Sequence, residues 1–217
     1  MLETALKEFL DFRNGFFIEV GAHDGIFQSN TLSLEKDLGW TGILIEPSIS
    51  AYLDCVKNRP NSKCINTALT SFLKYEKKKF AYGDFNSSPM SSIAGIRSGH
   101  SIIQNIKDYL KKKFYNQLVP ASTIPMQLIL EKLEINKIDF LSLDVEGFEL
   151  EVLNGIDFTR YRPKYILIEV REVHKNNIFK FMEKSHYKLL KNISNFNKKD
   201  NPTWDGTHQD YLFLDKK

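Results

Sequence analysis

Apolar and polar positions along this chain follow two periods in alternation. Short continuous apolar runs, at Phe16-Phe17-Ile18, Gly42-Ile43-Leu44-Ile45, Ile138 to Leu143 and Tyr165-Ile166-Leu167-Ile168, have the length and side chains of buried strands. Helices are expected between them. One starts near Gln28-Ser29-Asn30-Thr31, where Ser29 or Asn30 is able to cap it, and another runs from Ser50 to Asn58. A third follows Ser122-Thr123-Ile124-Pro125, a capping hydroxyl ahead of a first-turn proline, and runs to about Leu133; a fourth starts near Phe148 and ends at Gly155. Lys63 to Ala68, Tyr187 to Lys191 and Tyr211 to Leu214 read as further strands. This alternation predicts an α/β domain, a largely parallel sheet covered by helices on both faces. The stretch from about Ser71 to Pro120 breaks the rhythm. It holds an alternating segment from Lys74 to Tyr82, a Ser/Gly-rich passage from Asn86 to Gly99 and a Lys-rich helix near Ile102 to Phe114, and reads as an insertion or lid on a single domain.

Strand after strand stops at an acid. Glu19 lies in the first, with Asp24 in the turn that follows; Glu46 ends the second, Asp144 a later one with Glu146 just beyond, and Glu169 another. In an open α/β sheet those carboxyl ends share one edge, where ligands bind. A single acid there is explained by the pull of a helix N-terminus, worth about 0.3–1 kcal/mol. The whole set is not, because helix capping does not require a second strand to end in an acid roughly 20 residues after a glycine turn.

The turn Gly21-Ala22-His23-Asp24-Gly25 lacks the middle glycine of G-x-G-x-x-G and places carboxylates where a pyrophosphate would sit. That disfavours a nicotinamide dinucleotide and suits a cation. S-adenosylmethionine fits, since its sulfonium and amino group are both positive and its ribose hydroxyls can donate to an acid such as Glu46.

These residues carry a resemblance. The chain resembles the FkbM-type S-adenosylmethionine-dependent methyltransferases in Glu19-Val20-Gly21-Ala22-His23-Asp24-Gly25, Ser29-Asn30-Thr31, Leu34-Glu35, Gly39-Trp40-Thr41-Gly42, Ile45-Glu46-Pro47, Ile138-Asp139-Phe140, Asp144-Val145-Glu146-Gly147-Phe148-Glu149, Val152-Leu153-Asn154-Gly155 and Arg162-Pro163. The resemblance implies a Rossmann-like class I methyltransferase fold: a seven-stranded, mostly parallel sheet with helices on both faces and an antiparallel C-terminal strand. It implies methyl transfer to a hydroxyl, often on a sugar of a surface glycan, a nucleotide sugar or a secondary metabolite. By the same resemblance Glu19, Gly21, Ala22, His23, Asp24 and Gly25 form the cofactor turn, Glu46 holds the ribose, and Asp144 stands beside the methionine moiety and the acceptor. The expected cofactor set also takes in Asn30, Thr31, Pro47 and Ala68. One departure stands out: many family members carry lysine where this chain has Ser142.

Methyl transfer from a sulfonium is an in-line displacement, so the acceptor oxygen must be held about 3–3.5 Å from the methyl carbon with water excluded. A base that removes the hydroxyl proton adds roughly 10²–10⁴-fold. The candidates are Asp144, Glu146, Glu169 and His174. The same acids, as hard oxygen ligands, are able to hold Mg²⁺. His208, in a polar tail loop, ranks lower as a base, and His100 and His186 lower still. Ser88, Ser91 and Ser92 lie in the irregular passage, and Trp204 is placed either to stack on a sugar or to pack on the sheet edge.

Composition narrows the setting. The 217 residues are 42% hydrophobic and 26% charged with a formal net charge of +3, enough chain for one well-buried domain. The lysine clusters Lys77-Lys78-Lys79 and Lys111-Lys112-Lys113 read as solvated faces or as surfaces for an acidic partner. Cys55 and Cys64 lack the spacing of a metal knuckle or redox pair and are expected to be idle thiols in a reducing compartment. Met1 to Leu10 is amphipathic without the basic start of a signal peptide, and no apolar run approaches the ~20 residues of a membrane span. A cytoplasmic protein with a small-molecule or glycan acceptor is expected, its oligomeric state undetermined. The competing readings are an RNA methyltransferase, for which no aromatic-basic signature is present, and a non-catalytic Rossmann-like binding module, which would need broken cofactor residues.

Overall fold

The structure, a computed structural model, describes residues 2–77, 80–83, 119–194, 199 and 206–217. Its elements run α1 (Leu2–Leu10), β1 (Phe16–Val20), α2 (Leu32–Leu38), β2 (Thr41–Ile45), α3 (Ile49–Asn58), β3 (Lys63–Ile65), β4 (Ala68–Leu69), α4 (Phe72–Lys77), β5 (Phe80–Gly83) and β6 (Val119–Ile124). There follow α5 (Met126–Lys132), β7 (Phe140–Leu143), α6 (Glu149–Leu153), β8 (Tyr165–Arg171), a 3₁₀ turn (Glu172–His174), α7 (Lys175–Lys184), β9 (Tyr187–Asn192) and β10 (His208–Asp215).

The main sheet has seven strands in the order β3-β2-β1-β7-β8-β10-β9. β1 pairs in parallel with β2 and with β7, and β7 in parallel with β8, while β10 runs antiparallel to both β8 and β9. The chain therefore builds outward from β1 to one edge and then outward from β7 to the other. The crevice between β1 and β7 is the switch point where such sheets bind ligands.

Strand side chains alternate between the two faces. Ile18, Val20, Ile43, Ile45, Leu141, Leu143, Ile166 and Ile168 pack beneath α5, α6 and α7 through Met126, Leu130, Val152, Leu153, Ile178 and Met182. Phe17, Leu44, Phe140, Leu167 and Leu212 face α1, α2 and α3 through Leu6, Leu10, Leu34 and Cys55, with Trp40 among them. The expected helix-covered sheet with an antiparallel C-terminal strand is the observed one.

Several local expectations are corrected. Neither Ser29 nor Asn30 caps α2: the helix begins after Thr31 with no side-chain cap, because the nearby hydroxyls are drawn to the buried Glu19. The strand expected over Lys63 to Ala68 divides, β3 joining the main sheet and β4 a second sheet of order β4-β6-β5. Ser122 and Thr123 lie in β6 rather than at a helix start, and Pro125, extended at ψ 139°, is the residue before α5. The alternating Lys74–Tyr82 segment becomes the end of α4 followed by β5. Helix α7 was not legible, because Ile178 and Met182 alone of its residues are fully buried. The lysine-rich helix, Ser88, Ser91, Ser92, His100, Trp204 and Lys111-Lys112-Lys113 lie outside the described residues.

Cys55 and Cys64 are free thiols whose sulfurs lie 3.4 Å apart. Spacing in sequence did not suggest that meeting; α3 returning onto β3 produces it. Burial pushes both thiols up from their ordinary pKa. No helix among the described residues is long and apolar enough to cross a membrane.

Candidate active site

The turn after β1 is built around backbone that only glycine provides. Gly21 has φ 85°, and a Cβ there would stand 1.9 Å from the carbonyl oxygen of Asp144. Its amide donates to Ile45 O at 3.0 Å, and the amide of the buried Ala22 to the same oxygen at 3.2 Å, so the turn is stitched to the end of β2. Gly25, at φ 77°, closes the turn through its amide onto Ala22 O at 2.8 Å. The Asp24 carboxylate accepts the amides of Phe27 at 2.7 Å and Ile26 at 2.9 Å. Partial burial opposes its ionisation, but those amides and His23 outweigh it and hold the carboxyl below its usual range. Asp24 thus shapes its own loop.

Glu19 is buried at 4% exposure and clamps the same loop. It accepts Thr31 Oγ1 at 2.6 Å, Ser29 Oγ at 2.8 Å and the Asn30 amide at 2.7 Å. Burial still raises its pKa against those bonds. Asn30 in turn donates through Nδ2 to Ser142 Oγ at 3.0 Å. Ser142 is thereby occupied beneath the loop, paired in register with Glu19, and a lysine at that position would lie beside the Glu19 carboxylate.

Arg59, which the sequence did not single out, organises this region. Its side chain is fully buried, and Nε donates to Glu35 Oε2 at 2.9 Å, Nη1 to Gly25 O at 2.9 Å and Ser29 Oγ at 3.1 Å, and Nη2 to Thr31 Oγ1 at 3.1 Å. Nη2 also lies 2.9 Å from Glu35 Oε2, which gives every guanidinium hydrogen an acceptor. No periodicity marks an arginine placed between a helix end and a proline.

On the β2 side, Glu46 is 8% exposed. Its Oε2 accepts the His23 amide at 2.9 Å and its Oε1 the Ser48 amide at 2.7 Å, so the carboxylate is fixed against the Gly21 turn with lone pairs to spare. Burial raises its pKa. Pro47 follows, its carbonyl held with that of Glu46 by Asn66 Nδ2, at 3.0 and 2.9 Å. Ala68 is buried in β4 opposite Thr123. His23, at φ 48°, directs its ring toward Asp24, with Nδ1 3.5 Å from the carboxylate.

Across the crevice the acids gather. Asp144, Glu146 and Glu169 each offer an oxygen within 4.8 Å of the others. Glu146 is ion-paired with Arg171. Glu149 is fully buried, with Oε1 accepting Gly147 N at 2.9 Å and Val145 N at 3.2 Å. Asp210, in register opposite Glu169 on β10, joins them. His208 lies in a strand rather than the expected loop, its Nε2 3.8 Å from Glu169 Oε2. His174 Nε2 lies close to Gly147. His186, exposed between α7 and β9, stands apart from the cluster.

Crowding of like charge follows. Burial, then Asp144, Glu146, Asp210 and Glu149, push the Glu169 carboxyl up to about 9. Asp144 is raised well above its ordinary range by burial and by Glu146, Asp210, Glu149 and Glu19. Burial brings Asp210 to about 6 despite a bond from Ser194. Carboxyls raised in the folded state hold protons that the unfolded chain has already released, so their contribution to stability is lost as pH rises through the folded values. The ligand-free protein is therefore expected to melt at a lower temperature at about pH 9 than at about pH 6, and Glu169→Gln to flatten that slope. Thermal melts across pH check this; equal slopes in the two proteins would count against a strained Glu169.

This fold, with an acid-flanked glycine turn at the switch point, is that of the class I S-adenosylmethionine-dependent methyltransferases. The methyltransferase FkbM domain family matches residues 19–198. The chain belongs to that family. Comparison with curated proteins gives no significant match. Among solved structures, methyltransferase FkbM from Methylobacillus flagellatus is similar at TM-score 0.52 and 11% identity, over 93% of this chain and 43% of that one. M. capricolum TrmK in complex with S-adenosylhomocysteine gives TM-score 0.51 and 11% identity, over 99% of this chain and 67% of that one. The ribosomal protein L11 methylase of Lactobacillus delbrueckii subsp. bulgaricus gives TM-score 0.51 and 10% identity, over 100% and 78%. At these identities the likeness concerns the fold.

Proposed function

We propose that the chain transfers a methyl group from S-adenosylmethionine to a hydroxyl oxygen of a carbohydrate or a related hydroxylated metabolite. The observation that carries the reading is the acid-lined edge on the β7–β8 side of the switch point: Asp144, Glu146 and Glu169, with Asp210 and His208 beside them. Carboxylates accept hydrogen bonds from sugar hydroxyls and repel the phosphodiesters of RNA.

The residues present fit the cofactor. Gly21 lets the turn pack directly against the Asp144 backbone, and the carboxylates of Asp24, Glu46 and Asp144 rather than bare amides flank the turn, as a cation requires. S-adenosylmethionine supplies a methyl group on a positively charged sulfur. Glu46, held by the amides of His23 and Ser48, is oriented to accept the ribose hydroxyls; Pro47 and Ala68 line the nucleoside side, and Asp144 faces the positive end. Positive charge beside Asp144 and Glu169 lowers their raised pKa values and ionises them. Ionised Glu169 then stabilises His208 as that imidazole takes the hydroxyl proton, while His174 borders the acceptor beside Gly147. The acceptor oxygen held there would take the methyl group, with the electron pair of the broken sulfur–methyl bond left on sulfur.

Glu46→Ala is expected to weaken S-adenosylhomocysteine binding by about 1.5–3 kcal/mol, the range for hydrogen bonds to a charged group. Calorimetry checks it, and unchanged affinity would remove Glu46 from the ribose site. For the acceptor, labelled methyl transfer into fractionated cell extract decides. Label in material sensitive to glycosidase and resistant to ribonuclease supports the proposal; label lost on ribonuclease treatment overturns it.

A further inference from the structure

We propose that Asp144, Glu146 and Glu169 bind one divalent cation of the Mg²⁺/Mn²⁺ class, which also coordinates the acceptor hydroxyl. The proposal rests on the reading of this edge as the acceptor side. Three carboxylate oxygens from the β7–α6 turn and from β8 lie within 4.8 Å of one another. Two oxygens on one octahedral cation at about 2.0–2.1 Å stand about 2.8–4.2 Å apart, so side-chain movements of about 1–2 Å would bring these three to a shared ion. Their positions are fixed by the parallel pairing of β7 and β8, in which Leu143 stands opposite Ile168, one residue before each of Asp144 and Glu169.

A second observation points to a ligand at the same place. Glu149 is fully buried, yet its Oε2 has no hydrogen-bond partner. Its other oxygen is held by the amides of Val145 and Gly147, within the turn that carries Asp144 and Glu146. Its charge acts on both Asp144 and Glu169. A buried carboxylate oxygen without a hydrogen-bond donor is costly even with the Arg171 charge acting on it; a cation with its coordinated water would supply the missing partner. Arg171 pairs with Oε2 of Glu146, which leaves that residue's other oxygen for the metal. All the donors are hard oxygens, the set preferred by Mg²⁺ and Mn²⁺ over thiophilic metals. A cation here would lower the pKa of a coordinated hydroxyl, and the proton passes to His208.

The test uses the full chain after treatment with a chelator, titrated with Mn²⁺ and followed by the loss of the free-ion electron paramagnetic resonance signal. One saturable site per chain is expected, with Asp144→Asn and Glu169→Gln each weakening it at least about tenfold. Glu172→Gln, at an exposed residue paired with Lys175, is expected to leave it unchanged. Both site substitutions are near-isosteric and remove like-charge repulsion; circular dichroism checks that they fold, and the wild-type titration decides even where they do not. Absence of saturable Mn²⁺ binding, or equal binding in both site variants, overturns the proposal. S-adenosylhomocysteine binding measured in the same samples separates the two readings: its retention without Mn²⁺ binding removes the cation alone, and its absence removes the cofactor site.

Discussion

Gly21→Ala is expected to destabilise the protein by more than about 4 kcal/mol and to abolish measurable S-adenosylhomocysteine binding. Two costs combine. A residue with a Cβ at φ 85° pays roughly 1–2 kcal/mol for the left-handed backbone. The larger cost is steric, because the new methyl would stand 1.9 Å from the backbone oxygen of Asp144. That oxygen cannot turn aside as a side chain would, since the Asp144 amide is bonded to Val20 O at 3.1 Å. Relief requires β1 and β7 to separate at the crevice where the cofactor is held. Gly25→Ala provides the comparison: its Cβ would meet Arg59 Cγ at 2.7 Å and Cys55 Sγ at 3.0 Å, side-chain atoms with some freedom. Urea denaturation and calorimetry of both variants check the order. A Gly21→Ala protein within about 1 kcal/mol of wild type would show that the β1–β7 seam yields.

Arg59→Met is expected to cost about 3–5 kcal/mol, the price of leaving buried carboxylates without their cation. Glu35 would lose its guanidinium partner at 2.9 Å, and Glu19 the positive charge 3.9 Å from its Oε2. The loop carrying Gly25, Ser29 and Thr31 would also lose its donors. Arg59→Lys is not expected to restore stability, because one ammonium cannot reach acceptors spread around a planar fork. Combining Arg59→Met with Glu35→Gln should cost less than the sum of the two single changes, as expected for groups in one network. Denaturation midpoints measure all three effects. A loss below about 1 kcal/mol for Arg59→Met would place this pair with surface ion pairs.

The strands were legible because Phe16 to Val20, Ile43 to Ile45, Phe140 to Leu143 and Tyr165 to Ile168 are apolar on both faces, as strands covered on both sides must be. The acids at their ends were legible for the same reason, standing out where an apolar run stops. Strand order was not carried by periodicity; the family resemblance implies seven strands with an antiparallel C-terminal one, and the order itself is read from the structure. Asp210 carries no signal in the sequence, and His208 reads as part of a loop, because β10 is apolar only in its later part, while its first residues border the acid cluster. Ser29 and Asn30 read as candidate helix caps, since such side chains ahead of a helix commonly are. A buried carboxylate holds the Ser29 hydroxyl and the Asn30 amide instead, and only the fold shows that Glu19 lies beneath them. Arg59 and Glu149 had no local signal, because their partners lie on other elements or inside a turn.

The reversed direction of β10 sets an order of events in biosynthesis. The parallel strands deliver their acids to the ligand edge as each one ends, but β10 delivers Asp210 and His208 as it begins, between β8 and β9. While the chain emerges from the ribosome, β9 has no neighbour in the sheet until residues 208–215 follow it. β10 therefore joins the strand that was left waiting and completes the acid cluster in one act of pairing. A nascent chain halted before β10 would display the glycine turn and the first acids without the groups that face them.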